Sequence, residues 1–265
     1  MINLSKKLIR QVAQANAKFE LIKDGDRVLL GLSGGKDSLA LAHLLNRMQA
    51  HAPFKFELEA VTLSYGMGED YSHLHAHCEE HGIKHSVLDS NIYEVSGDTI
   101  RENSSFCSYF SRMRRGALYT YALEKGFNKL AIAHHLDDAA ESFFMNFIYN
   151  GALRTLAPIY QSKRGITVIR PLIFVRERQL RDNATQNELS VIGNEFCPGM
   201  KLSEKNVKFP HAREEAKQLL ANLEKDHPKL FTSLKTAFAN LHTESFWLQK
   251  GQKYEKSFCF SGLSK

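Results

Sequence analysis

The chain has 265 residues and a formal net charge of +6, and hydrophobic residues make up 43% of it. This composition supports the packed core of one large domain, with or without an appendage, and excludes a chain that is disordered throughout. The basic excess, with a sequence pI of about 9.0, is compatible with a polyanionic partner such as nucleic acid but does not require one.

The predicted elements begin with an amphipathic helix from Leu4 to Phe19, where apolar residues recur at helical spacing. Strand and helix patterns then alternate, with strands at 26–33, 56–64, 84–90, 128–138 and 166–175 and helices at 39–48, 71–82, 111–126 and 139–151. The last of these strands is interrupted by Pro171. After residue 176 the pattern is helical, with two amphipathic helices separated near Pro228.

Alternating strands and helices predict a parallel sheet covered on both faces, which is a doubly wound α/β fold. We therefore divide the chain into an N-terminal amphipathic helix (1–20), an α/β domain (21–185) and a mainly helical C-terminal extension (186–265).

The four cysteines stand far apart and form no dense disulfide framework. No apolar run approaches the ~20 residues that a membrane helix needs, and the charged N-terminal segment does not read as a secretory signal. We expect a protein of the reducing cytoplasm, without membrane association.

A glycine-rich loop follows the first strand and opens the next helix. Glycines let the backbone approach a ligand closely, and the N–H groups at a helix N-terminus attract an anion. An aspartate beside a phosphate requires a bridging cation such as Mg²⁺, which makes Asp37 a candidate magnesium ligand. The alternative is a tight strand–helix turn without a ligand. The residues expected to hold a phosphate group are Ser33, Gly34, Gly35, Lys36, Asp37 and Ser38.

The string S-G-G-K-D-S matches the PP-loop motif of the ATP pyrophosphatases, and the chain resembles that superfamily. The resemblance implies a fold of the adenine-nucleotide alpha-hydrolase (PP-loop) type, with helical additions at both ends. It also implies that the loop holds the pyrophosphate part of ATP, which is split between its α- and β-phosphates. AMP is then transferred to a carbonyl oxygen of the substrate.

A second motif, A-I-A-H-H-L-D-D-A-A-E-S, resembles the G-H-H-x-D-D-x-x-E-T motif of the tRNA 2-thiocytidine and lysidine synthetases. At the carboxyl end of a parallel strand, such groups lie near the ligand crevice. There Asp138 would hold Mg²⁺ together with Asp37, and His134 or His135 would contact a phosphate. Alternatively, Asp137 and Asp138 only complement the dipole of a helix.

Three further segments resemble the tRNA 2-thiocytidine synthetases, and the resemblance extends from about residue 4 to about residue 240. The first is C-S-Y-F-S-R-M-R-R-G, and the others are V-I-R-P-L and V-I-G-N-E-F-C-P-G. The family implies a tRNA partner, a cytidine whose C2 oxygen is adenylated and replaced by sulfur, and a sulfur donor protein. Arg112, Arg114 and Arg115 are expected to contact RNA or phosphates, although they also suit ATP or a surface salt-bridge network.

Two cysteines of the family pattern are replaced. Phe110 and Asn194 stand where the C-x-x-C partners of Cys107 and Cys197 are expected, and the family's [4Fe–4S] cluster depends on cysteine thiolates. One interpretation keeps a cluster with an unusual ligand, such as Cys78 or a histidine. In another, Cys107 and Cys197 act as a catalytic persulfide-carrying pair whose pKa is lowered by nearby arginines. In the third, the sulfur chemistry is lost.

The replaced cysteines leave two other functions open. One is a PP-loop ligase or amidotransferase without sulfur chemistry, and the other is a non-catalytic module that binds ATP or RNA. A homodimer is compatible with all of these.

A histidine-rich helix carries a separate hypothesis. His73, His77 and His81 recur about one helical turn apart, with His75 and Cys78 nearby, and this set suits either Zn²⁺ or a solvated helix face.

Overall fold

The structure is a computed structural model that describes residues 2–99, 106–193, 198, 211–242 and 245–247. Its helices are α1 (Lys6–Phe19), α2 (Lys36–His51), α3 (Ser72–Glu80), α4 (Ile92–Thr99), α5 (Phe106–Glu124), α6 (Leu136–Asn150), α7 (Glu177–Gln186), α8 (His211–Asp226) and α9 (Leu230–Ala237). Its strands are β1 (Arg27–Gly31), β2 (Glu57–Leu63), β3 (His85–Leu88), β4 (Lys129–Ala131), β5 (Ile159–Gln161) and β6 (Thr167–Ile169). Over these ranges, none of the helices has the length and apolar character to cross a membrane.

The strands form one six-stranded sheet in the order β3-β2-β1-β4-β6-β5. All neighbouring pairs are parallel except β5 and β6, which are antiparallel. The predicted doubly wound α/β fold is confirmed, with one antiparallel edge strand added to it. The last predicted strand, 166–175 with an interruption at Pro171, is present only in its first part, because β6 ends at Ile169, two residues before this proline, which has no N–H for a ladder.

The two faces of the sheet bury alternate residues of β1. Val28 and Leu30 pack in the core beneath α1, α2, α3 and α7, whereas Leu29 packs beneath α5. All three side chains are fully buried, each worth about 1.5–3 kcal/mol relative to exposure. This alternation is the period-2 pattern of a strand that is covered on both sides.

Three helices begin earlier than their periodicity predicts. Helix α2 starts at Lys36, so the end of the glycine loop is the first turn of the helix. Helix α6 starts at Leu136 and places Asp137 and Asp138 in its first turn, so these carboxylates do not belong to a strand. Helix α5 starts at Phe106, ahead of the predicted start at 111.

The two predicted C-terminal helices are present as α8 and α9 on either side of Pro228. They pack on α6 through a small apolar cluster that contains Leu136, Ala140, Leu220 and Phe231. The C-terminal part of the chain is therefore held against the helix that carries the second motif. The division of the chain at residue 185 stays a prediction.

Candidate active site

The two polar motifs extend from adjacent strands of the sheet. Strand β1 pairs with β2 on one side and with β4 on the other, so the strand order reverses between β1 and β4. Leu30 and Ala131 are register partners at the carboxyl ends of these strands. Because ligands of open α/β sheets bind at this switch point, the sheet brings both motifs to one crevice.

The glycine loop is closed around the Ser38 hydroxyl. Ser38 Oγ donates to the Gly35 carbonyl oxygen (2.9 Å) and lies 3.2 Å from the Ser33 backbone N–H, which donates to it. The Ser33 hydroxyl is 3.1 Å away. These bonds link the start of the loop to the first turn of α2.

Gly34 is the residue that requires glycine. Its φ is +78°, and a Cβ at this position would lie 2.7 Å from Ile192 Cγ1. The Ile192 backbone N–H donates to the Gly34 carbonyl oxygen (3.0 Å), and its side chain is buried. Ile192 therefore supports the loop from behind, a contact that sequence reasoning missed because it joins two distant segments.

The N-terminus of α2 is free to bind an anion. Its N-cap is Gly35, and no side chain of the described residues caps the first turn. The first backbone N–H groups of a helix have no intrahelical partner, and the helix dipole attracts negative charge there. This turn therefore suits a phosphate group.

Lys36 lies between two carboxylates at the mouth of the loop. Its Nζ is 3.2 Å from Asp37 Oδ2 and 3.2 Å from Glu177 Oε1 at the start of α7. Although burial opposes it, hydrogen bonds from Lys217 and Lys36 lower the pKa of Glu177 to about 2. Glu177 is therefore ionised and holds Lys36 in place, a role the sequence did not indicate.

Three carboxylates surround the imidazole of His135, with Asp137 Oδ2 3.7 Å from Nδ1 and the other two near Nε2. His135 Nε2 lies 3.9 Å from Asp37 Oδ2 and 3.4 Å from Asp138 Oδ2. Asp37 Oδ1 is buried without a hydrogen-bond partner among the described residues, and burial raises the pKa of this carboxyl. Carboxylate oxygens are the ligands Mg²⁺ prefers, so Asp37 and Asp138 fit such an ion.

His135 and Asp138 also form the cap of α6. His135 Nδ1 accepts from the Asp138 N–H (3.3 Å), and Asp138 Oδ2 accepts from the His135 N–H (2.9 Å). Asp137 instead accepts from Arg176 Nε and from the Glu177 N–H (2.8 Å), which ties α6 to α7. Asp137 therefore connects α6 to α7, whereas Asp138 caps α6 and lies, like Asp37, near His135 Nε2.

His134 is held by a buried arginine. Arg170 Nε donates to His134 Nδ1 (3.1 Å), and burial together with the Arg170 charge lowers the pKa of His134 to about 4. His134 is therefore a neutral ring at physiological pH. Arg114 on α5 is half-buried and acts electrostatically on the same ring. Arg115 is exposed and adds positive charge near Arg170.

The three predicted arginines therefore differ in position. Arg114 and Arg115 lie near the second motif, whereas Arg112 is exposed on α5. A second basic stretch of the sequence, K-L-S-E-K-N-V-K-F-P-H-A-R at 201–213, also suits contact with RNA. Its residues 201–210 lie outside the described part of the structure.

Helix α8 contributes charged partners from a distant part of the chain, and one of them, Arg213, is the last residue of the basic stretch at 201–213. Arg213 pairs with Asp138 and, at 2.8 Å, with Glu141 Oε2. Arg176 forms a bidentate pair with Glu224 (2.7 and 2.9 Å). Partners this far apart in sequence leave no local pattern, so no signal could have predicted them.

The segment that contains Cys107 lies beside the carboxyl end of β2. Cys107 stands in the first turn of α5, and the nearby Tyr109 and Phe110 pack with Leu63, the last residue of β2. The side chain of Cys107, like Cys197 and Asn194, lies outside the described part of the structure.

Phe110 does not fit the family's iron–sulfur cluster. Its ring is buried against Leu63 and Tyr109 and meets the Tyr65 ring edge-on, with centroids 6.0 Å apart. Cys78 lies in the core on the other face of the sheet, where burial raises the pKa of its thiol to about 11. Within the described side chains, neither residue supplies a thiolate beside Cys107.

Comparisons with known proteins agree with this geometry. The family model described as PP-loop domain matches residues 4–195. A tRNA-cytidine(32) 2-sulfurtransferase of Citrifermentans bemidjiense is 36% identical over 243 residues, covering 91% of this chain and 92% of that protein. One of Geobacter metallireducens is 38% identical over 238 residues, covering 89% and 90%.

A solved structure is similar over most of the fold. The U34-tRNA thiolase NcsA from Methanococcus maripaludis, with its [4Fe-4S] cluster, superposes with a TM-score of 0.70 and 27% identity, covering 88% of this chain and 77% of that chain. The glycine loop, the second motif and these comparisons together show that the chain belongs to the PP-loop ATP pyrophosphatases, and among them to the tRNA 2-thiocytidine synthetase family.

Proposed function

We propose that this chain is an ATP-dependent tRNA sulfurtransferase that replaces the C2 oxygen of a cytidine with sulfur. The observation that carries the proposal is the convergence of the Ser33–Ser38 loop and the His134–Asp138 turn at the switch point of the sheet. The names of the relatives indicate cytidine 32 of tRNA as the target. We place the reaction in the cytoplasm, where tRNA is used.

The first step activates the base. The C2 oxygen of cytidine attacks the α-phosphorus of ATP, the bond to the bridging α–β oxygen breaks, and pyrophosphate leaves. The loop and the first turn of α2 bind the pyrophosphate. Asp37 and Asp138 would hold Mg²⁺, which neutralises phosphate charge when bound. Lys36, held by Glu177, adds a second positive charge.

The second step delivers sulfur through Cys107 and Cys197. A donor protein supplies a persulfide on one cysteine, and its terminal sulfur attacks C2 while the C–O bond breaks and AMP leaves. The other cysteine thiolate then attacks the sulfur of the carrier cysteine. The thiocarbonyl is released, a Cys107–Cys197 disulfide forms, and a thiol reductant restores both cysteines. Phe110 supports this cluster-free route, because its buried ring offers no metal ligand.

The basic surface of α5 supports a tRNA partner. Arg112 and Arg115 are exposed, and Arg114 lies beside His134 at the crevice. Arginines bind phosphate oxygens with two parallel hydrogen bonds, which suits the RNA backbone close to the reacting base.

Reconstituted thiolation tests the proposal. Unmodified tRNA, ATP, Mg²⁺, a protein persulfide donor and a thiol reductant are incubated with the protein, and nucleosides are analysed by mass spectrometry while pyrophosphate is quantified. We expect 2-thiocytidine from the wild type. Cys107→Ser and Cys197→Ser should each reduce it at least 100-fold and leave tRNA-stimulated pyrophosphate release intact.

The same assay separates the alternatives. Full activity of the double serine variant on its substrate would support a ligase or amidotransferase without sulfur chemistry. Nucleotide binding without tRNA-stimulated pyrophosphate release would indicate a binding module. Near-stoichiometric iron and acid-labile sulfide in protein purified without air would contradict the cluster-free route.

A further inference from the structure

Three histidines meet between α2 and α3, on the side of the sheet that lies away from α5. They are His43 from α2, His77 from α3 and His81 from the C-cap of α3. None of them belongs to the loop or to the second motif. The predicted set of His73, His77 and His81 is thus corrected by the fold, because His73 is exposed and α2 supplies the third imidazole.

The three rings are arranged around a common point. One ring nitrogen from each histidine lies within 4.8 Å of the others, and His43 Nε2 is 2.9 Å from His77 Nε2. The His77 and His81 rings stack with centroids 4.5 Å apart, and His43 meets both edge-on. Tetrahedral Zn²⁺ with Zn–N bonds of about 2.0–2.1 Å places its nitrogens about 3.4 Å apart, so small side-chain rotations are sufficient.

His43 is a poor choice for a side chain that only fills the core. It is 1% exposed, and its Nδ1 is buried without a hydrogen-bond partner among the described residues. An apolar residue would fill the same space without an unpaired polar atom. The buried imidazole is explained by its other nitrogen, Nε2, which faces His77 in the cluster.

The protonation of the cluster also suits a metal. His81 Nδ1 donates to the His77 carbonyl oxygen (2.9 Å), which fixes the tautomer and leaves the lone pair on Nε2. A neutral imidazole with an available lone pair is the form that ligates a metal.

We propose that His43, His77 and His81 bind one Zn²⁺ ion that joins α2 to α3. Zn²⁺ accepts imidazole nitrogens in tetrahedral geometry, and His77 and His81 are only half-buried, so water completes the fourth position. His43 follows Ser38 by five residues, about 7–8 Å along the helix axis. The ion would hold α2 in place, and the first turn of α2 is part of the glycine loop.

Metal titration tests the proposal with the full chain. Protein freed of metal with a chelator is titrated with Zn²⁺ alone, in competition with a chromophoric chelator, and with Co²⁺ for its visible spectrum. We expect one equivalent of Zn²⁺, and a tetrahedral Co²⁺ spectrum without thiolate charge-transfer bands. Zn²⁺ should also raise the melting temperature.

The half-buried ligands provide the variants, because replacing the buried His43 risks the fold. His77→Ala and His81→Ala should each weaken Zn²⁺ binding at least tenfold and remove the Zn²⁺-dependent rise in melting temperature. His73→Ala is the matched control on the same helix and should behave as wild type. Absence of stoichiometric binding, wild-type affinity in both variants, or Co²⁺ bands from thiolate ligands would overturn the proposal.

Discussion

At the scale of single residues, the glycine loop depends on Gly34, where both the backbone angle φ and the neighbouring atoms exclude a side chain. Gly34 combines φ +78° with close contact to Ile192. We expect Gly34→Ala to destabilise the protein by about 1–3 kcal/mol, since a strained φ and a steric clash add up. It should also lower ATP affinity at least tenfold, measured by calorimetric titration.

Gly68 provides the control for this prediction. It has nearly the same φ, +79°, but a Cβ there would meet nothing within 4 Å. Gly68→Ala should therefore destabilise the protein through backbone strain alone, and the variant should bind ATP with wild-type affinity. Adding Ile192→Ala to Gly34→Ala should restore part of the lost affinity. Wild-type ATP binding by Gly34→Ala would show that the loop contact with Ile192 is unimportant.

At the scale of elements, ion pairs hold helix α8 against the candidate site. Arg176 is paired with Glu224, and its guanidinium lies 3.3 Å from the centroid of the Phe231 ring, so α7, α8 and α9 meet at one side chain. We expect Glu224→Gln to cost about 1–3 kcal/mol of unfolding free energy, because a charge-assisted bidentate bond becomes a neutral one. Urea unfolding measures the difference.

A matched substitution on the same helix isolates this pair. Glu214 is exposed on α8, so Glu214→Gln should change the unfolding free energy by less than about 0.5 kcal/mol. Equal effects of the two substitutions would mean that the Arg176–Glu224 pair has no special role in holding α8.

At the scale of the whole molecule, buried neutral histidines make stability depend on pH. Burial lowers the pKa of His43 to about 3 and those of His85 and His134 to about 4, below the unfolded value of 6.5. Between pH 4 and pH 6.5 the unfolded chain binds more protons than the folded chain does. The contribution of these histidines to stability is therefore complete above pH 6.5 and is lost as the pH falls toward 4. Each histidine contributes up to about 1.4 kcal/mol per pH unit.

Urea unfolding from pH 7 to pH 4, with chelator present, tests this dependence. Asp37 and Glu141 oppose the loss, since burial raises the pKa of both carboxyls. His85→Gln should flatten the slope, because glutamine can keep the hydrogen bond with Thr62 and does not titrate. A slope unchanged by His85→Gln would contradict the assignment, and His73→Ala serves as the neutral control.

Local patterns were sufficient for much of this molecule. Period-2 and period-3.6 hydrophobic patterns predicted the doubly wound fold, because burial on both faces of a sheet leaves a continuous local signature. Helix starts were predicted late, since Lys36 and Asp137 are polar residues that join a helix only through its cap. Strand β5 and helix α4 were missed, because a three-residue strand and an eight-residue helix carry too little periodicity.

The sequence by itself determined the family, the glycine loop and the second motif, because each of these motifs consists of residues that are contiguous in the chain. Tertiary structure alone decided which groups meet across the chain: Ile192 behind Gly34, Arg213 on Asp138, and His43 beside His77. Such contacts depend on how helices pack on the sheet. The packing of two distant segments does not produce a periodic sequence pattern in either segment.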